Sequence, residues 1–177
     1  MMRKTPYQKL MDRKRKWSPV KPTIGTLKDG SEDTIRRALA ARHLELPVGT
    51  FIKEGLEKDV PKNARKLLED NVKDEERHDL ALGWYTDALG ADENAEKEAL
   101  LLRDAWIRHP DHCITKALVA ERAIFFVLLP FFRFNGDAAL RTISADISRD
   151  EQIHVGTNSL VCRELDLRSS PSLDKLR

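Results

Sequence analysis

Two stretches of this sequence place a glutamate and a histidine three residues apart: Glu75 and His78 in "VKDEERHDLA", and Glu151 and His154 in "SRDEQIHVGT". On a helix that spacing puts both side chains on one face, where a carboxylate beside an imidazole makes half of a metal site. Glutamate and histidine are common enough to give about 0.4 such pairs by chance, so two of them are suggestive without being decisive. The bland alternative is a solvated, salt-laced helix face, and the surrounding pattern weighs against it. Ile143, Ile147, Glu151 and His154 follow one another in helical steps, and Leu68, Glu75, His78 and Leu82 share a face in the same way. A carboxylate that continues an apolar stripe is costly unless it is paired or holds a metal.

A second glutamate lies upstream of each pair at the same separation, Glu45 before Glu75 and Glu121 before Glu151. The midpoints are Val60, next to Pro61, and Gly136, inside an Asn-Gly-Asp turn. Two antiparallel helices folded at such a turn bring residues equidistant from it to one height. Four helices then direct Glu45, Glu75, His78, Glu121, Glu151 and His154 at a common point, which is the donor set of a dinuclear carboxylate centre in a ferritin-like bundle. Carboxylates and imidazoles suit iron or manganese, and the lack of thiolates argues against structural zinc. Two iron ions are the expected cofactor, with Mn/Fe and Mn/Mn as alternatives. Glu54 and Glu57 are fallback ligands to Glu45, but both lie too close to the Pro61 turn to face Glu75. Asp74 and Asp150, one step before each motif, can accept the remaining ring N–H of the histidine on the facing motif helix.

The elements that must carry these residues are all helical. A helix opens at Ser31, whose hydroxyl suits an N-cap, and runs toward Asp59 past Pro47, where a kink or a helix end is expected. A second runs from Pro61 to Gly90, a short one from Asp92 to His109, an apolar one from His112 to Phe134, and a last one from Asp137 to Leu165. The second and fourth of these should be parallel, so the short helix between them serves as the crossover. The predicted fold is all-α, a ferritin-like four-helix bundle over residues 31–167. A basic, extended or disordered arm (1–30) precedes it and a flexible polar tail (168–177) follows. The 177 residues suffice for one domain, and 34% charged against 41% hydrophobic residues is the balance of a soluble helical chain. The net charge of +2 gives no general pull toward nucleic acid, although residues 1–25 hold eight Lys or Arg against Asp12 alone. Cys113 and Cys162 show no pairing pattern, which fits reduced thiols and a cytoplasmic location. No apolar run reaches the length of about 18 residues that a membrane span needs.

These residues resemble a known superfamily. "ISRDEQIH" (147–154) and "ERAIFF" (121–126) resemble motifs of ribonucleotide reductase small subunits, and "DEERH" (74–78) resembles the form found in diiron monooxygenases. The resemblance spans about residues 32–165 and is specific only in the motifs. It implies the same six ligands, with Asp150 bonded to His78. The position of the reductases' radical tyrosine is Leu82 here; Tyr85 and Trp84 are the nearby candidates for a redox role. The expected function is that of an O2-activating diiron oxidase or oxygenase acting on a small organic substrate, a homodimer served by an electron donor. Ile124, Phe125, Phe126, Leu128 and Leu129 either wall its pocket or are simply bundle core. The alternatives are a ferroxidase or iron-binding protein, a small reductase-like subunit, and a non-catalytic helical module acting through the basic arm, with Trp17 stacking on a base.

Overall fold

The computed structural model describes residues 3–176; Met1, Met2 and Arg177, at the ends of the expected arm and tail, lie outside the described residues. Among the described residues every regular element is helical: α1 (Pro6–Met11), α2 (Glu32–Leu39), α3 (Glu45–Leu56), α4 (Arg65–Leu89), α5 (Glu93–Arg108), α6 (Cys113–Ala123), α7 (Leu129–Asn135), α8 (Ala138–Glu164) and α9 (Pro171–Asp174). A 3-10 segment, Ala40–Leu44, joins α2 to α3, and a π-helical turn, Ile124–Leu128, joins α6 to α7. No helix among the described residues is long and apolar enough to cross a membrane.

The helix ends follow local chemistry. Asp137 caps α8 by accepting the Leu140 N–H, and Gly136 precedes it because a Cβ there would lie 2.6 Å from the Phe132 carbonyl oxygen. Gly90, at φ 94°, ends α4 in a conformation that side chains disfavour. At Pro47 the sequence leaves two outcomes open, and the helix end is the one realised. Proline lacks the N–H that would reach back to His43, so the chain passes through a 3-10 segment and α3 begins at Glu45, with Pro47 in its first turn.

Helices α3, α4, α6 and α8 pack around a common interior. Contacts between Asp74 and His154, and between His78 and Asp150, show α4 and α8 running antiparallel. Gly55 near the end of α3 meets Ile114 near the start of α6, so these two are antiparallel as well. With tight turns joining α3 to α4 and α7 to α8, helices α4 and α6 point the same way, and α5 returns the chain along the outside. Its Trp106 is buried and donates from its indole N–H to the Lys116 carbonyl, 3.2 Å away.

The apolar interior is in two parts. Val48, Ile52, Leu68, Val72, Ile114 and Ile153 belong to one cluster, and Leu39, Leu82, Tyr85, Ile124, Leu129 and Ile147 to the other. On α4 the residues between the clusters are Asp74, Glu75 and His78, and on α8 they are Asp150, Glu151 and His154 once Ile153 is set to its own side. The polar residues occupy the middle of the bundle.

Both chain ends depart from expectation. The arm is neither extended throughout nor loose: Thr5 and Gln8 form a capping box that starts α1, and Tyr7 is buried. Leu10 reaches the bare backbone of Gly156 on α8, where an added Cβ would sit 3.1 Å from it. Further on, Trp17, Ile24 and Leu27 pack on the second cluster, and the Gly25 N–H donates to Asp137. Six helical residues are too few to show a period, so this helix was invisible to pattern reading. The tail also docks: Ser170 caps α9, and Leu173 is fully buried although its neighbours are polar.

Candidate metal centre

Each motif side chain comes from the element expected to carry it. Glu45 is the first residue of α3, Glu75 and His78 lie mid-α4, Glu121 is near the end of α6, and Glu151 and His154 lie mid-α8; all six are buried. Glu45, Glu75, His78 and Glu151 form one group and Glu75, Glu121 and His154 another, with the donor atoms inside each group no more than 4.8 Å apart. Glu75 is common to both. Its Oε1 lies 3.1 Å from Nδ1 of His154 and its Oε2 3.7 Å from Nδ1 of His78. Glu151 is also placed between them, Oε1 standing 3.3 Å from His78 Nδ1 and 3.4 Å from His154 Nδ1.

The buried polar atoms point to a cation. Both carboxylate oxygens of Glu45, Glu75 and Glu151, and Nδ1 of both histidines, are buried without a hydrogen-bond partner. Such groups are costly to leave unsatisfied. Donors about 2.1 Å from one ion stand about 3 Å from each other, near the separations seen here. Charge agrees: four glutamates with two neutral imidazoles balance two divalent cations. This buried Glu/His group can therefore hold metal ions.

Without metal the cluster retains protons. Burial holds the Glu45 carboxyl well above its usual range, against the pull of His78. Burial, reinforced by the charge of Glu151, pushes Glu121 up to about 8. Burial disfavours charge on His78, yet Asp150, Glu151, Glu45 and Glu75 outweigh it and raise the imidazole pKa. His154 is raised against burial by Glu151 and Asp74. Glu75 is held low despite its burial, because both imidazoles face it.

The two aspartates stand behind the histidines. His154 Nε2 lies 3.0 Å from Asp74 Oδ2, and His78 Nε2 lies 3.3 Å from Asp150 Oδ2, so each aspartate serves the histidine of the other motif helix. With Nε2–H donated there, Nδ1 is the ring nitrogen turned to the carboxylates, protonated without metal and able to offer its lone pair to an ion in the proton's place. Asp74→Asn and Asp150→Asn are each expected to weaken metal binding about 10- to 100-fold. Competition against a chelator checks this; unchanged affinity in both variants removes the orienting role.

Sequence reading missed several participants. Arg77 donates to Asp74 and, at 3.2 Å, to Asp150. Lys14 donates to Asp74 at 2.9 Å. The Trp17 indole N–H donates to Asp150 at 2.7 Å, and its ring lies nearly parallel to that of His78, with centroids 6.2 Å apart. Trp17 is thus engaged by its own chain. The Asn71 and Asn158 amides donate to the two oxygens of Glu121 at 2.9 and 2.7 Å. Asn71 is four residues before Glu75 and Asn158 four after His154, so both continue the stripes already identified and were legible there. Trp17 carried no such signal.

The candidate redox residues are elsewhere. Tyr85 is buried in the second apolar cluster, its hydroxyl turned toward Asp137, and Trp84 is half-buried beneath the Lys21 ammonium. Among the described residues, neither hydrogen-bonds to any of the six clustered side chains. Glu54 pairs with Lys58 at the surface, away from the cluster. Family models, curated proteins and solved structures were each compared with the chain, and none matches it.

Proposed function

We propose that this chain is an O2-activating dinuclear iron carboxylate oxidoreductase that oxidises a small organic substrate, built as a ferritin-like bundle with α5 as its crossover helix. The observation that carries the reading is the set of buried, unpartnered donor atoms on Glu45, Glu75, His78, Glu151 and His154, joined by Glu121. Glu75 and Glu151 stand between the two histidines and would be shared by two ions. Glu45 with His78 would complete one position, and Glu121 with His154 the other. A pair of Fe(II) ions, or a manganese-containing pair, supplies the redox equivalents for reducing O2 when bound.

The remaining residues prepare this chemistry. Asp74 and Asp150 fix the histidine tautomers, and Lys14 and Arg77 offset the charge of those aspartates. Trp17 covers His78 and closes the arm over the outer side of the cluster. The apolar clusters on either side of the donors keep bulk water from them. Tyr85 is held away from the donors, which weighs against a radical stored on it.

The test is anaerobic Fe(II) loading followed by addition of O2. We expect two iron ions per chain and O2 uptake that stops at a fixed ratio to bound iron when no substrate is present. Fewer than two ions per chain contradicts the reading. O2 uptake that keeps pace with added iron, with ferric mineral accumulating, assigns the chain to iron storage instead.

A further inference from the structure

Away from the donor cluster, a cleft of about 890 Å3 opens between the α2–α3 junction and the segment that follows Glu121. That volume is in the range of small-molecule sites. Ala41 and Leu44 form one wall and Ile124 and Phe126 the other. Phe126 is 63% exposed, an unusual position for a phenylalanine without an occupant beside it. Among the described residues, the only charged side chains lining the cleft are Arg37 and Arg122. Arg37 shares an exposed ion pair with Glu98, whereas Arg122 reaches only the Ser159 hydroxyl, at 3.5 Å, and pairs with no acid among the described residues.

The floor of the cleft adjoins the donor cluster through the backbone. Leu44 immediately precedes Glu45, and Ile124 lies one turn past Glu121, so the cleft borders one ligand of each metal position. The helix is also widened here: the Leu129 N–H reaches back five residues to the Ile124 carbonyl, opening a π-helical turn on the cleft wall. Such turns often occur at functional sites.

We propose that this cleft receives the substrate of the dimetal centre, and that the substrate is an amphipathic carboxylate with an alkyl or aryl body. The carboxylate is held at the rim by Arg37 and Arg122, and the apolar body lies over Ile124 and Leu44. The substrate role rests on the dimetal reading above. Charge decides against a second copy of the chain as occupant. Two like faces meeting here would bring the Arg122 guanidinium of each copy into one apolar interface, with no acid among the described residues paired to either.

The test is calorimetric titration of the anaerobic Fe(II)-loaded chain with decanoate and, separately, decan-1-ol, with iron counted in every sample. Expected are one decanoate site per chain, alcohol affinity at least about tenfold weaker, and two irons throughout. The double variant Arg37→Gln/Arg122→Gln should lose about tenfold in decanoate affinity and leave the alcohol unchanged. Ala41→Phe, which fills the cleft, should weaken both. Equal decanoate affinity with and without the arginines, or two irons with no decanoate binding, overturns the cleft assignment while the metal reading stands. Decanoate binding in a chain that holds no iron overturns the substrate role. Sedimentation showing a dimer that Ala41→Phe dissociates gives the cleft to a second copy and overturns the proposal.

Discussion

Replacing Glu151 by alanine should remove both metal ions, and Glu75→Ala should do the same, whereas Glu45→Ala and Glu121→Ala should each leave one behind. The difference follows from placement. Oxygens of Glu75 and Glu151 each lie within 3.7 Å of Nδ1 on both histidines. Of the two histidines, Glu45 lies beside His78, at 3.5 Å, and Glu121 groups with His154 and Glu75. Loss of a shared carboxylate takes a donor from both positions and leaves two like charges closer to bare repulsion. Loss of an outer one damages a single position. Metal content after desalting, measured by elemental analysis with the competitor concentration varied, checks this. If Glu45→Ala empties the chain as fully as Glu151→Ala, the sharing is wrong. If all four variants keep two ions, the donor set itself is wrong.

Metal loading should stabilise the chain, and the gain should grow as pH rises. In the metal-free fold His78 and His154 bind protons more tightly than ordinary histidines, and Glu121 titrates at about 8. A group whose pKa is raised on folding contributes stability below its unfolded value, near 6.5 for histidine and 4.3 for glutamate, and loses it as pH climbs through the folded value. Glu75, Asp74 and Asp150 are lowered instead, so what they contribute is already complete above about pH 5 and is lost only in acid. Between pH 6 and 9 the net trend of the metal-free chain is therefore downward. Bound ions replace those protons and remove the trend. At a hundredfold excess over Kd each ion adds about 2.7 kcal/mol and the pair about 5 kcal/mol, or about 10–20 °C in Tm for a chain of this size. Thermal unfolding at pH 6, 7, 8 and 9, with chelator and with metal, is the measurement. A metal-free Tm that rises across this window, or an equal gain at every pH, contradicts the assignment of proton-holding groups.

What the sequence made legible was whatever repeats with the helical period. Ile143, Ile147, Glu151 and His154 announce their common face by spacing alone, and the Pro61 and Asn135-Gly136 turns fix which glutamates stand at the same height. All six chosen side chains are brought together in the fold. Interactions that depend on a single long-range match were not legible. Lys14 and Trp17 meet Asp74 and Asp150 across 60 and 133 residues of sequence, in an arm too short and too charged to show a stripe. Leu173 and Leu176 are two apolar residues in a polar tail, and only the shape of its pocket makes Leu173 an anchor. The π-helical turn after Glu121 arises in a run apolar on all sides, "AIFFVLLPFF", where a change of helical pitch leaves no trace in the pattern. Asn71 and Asn158 are the exception, since their stripes were visible and their role was not drawn from them.

The crossed aspartates carry a consequence for how such a centre is built. Asp74 stands behind His154 and Asp150 behind His78, each half of the chain completing the other as the two subunits of an isologous dimer would about a twofold axis. The axis is broken at the outer glutamates. Both amides, Asn71 and Asn158, grip Glu121, while the corresponding Glu45 is held by neither and keeps both oxygens unpartnered. A pair of identical hairpins would have to treat both positions alike. Joining them through α5 into one polypeptide lets the Glu121 side of the cluster be rigid and the Glu45 side yielding.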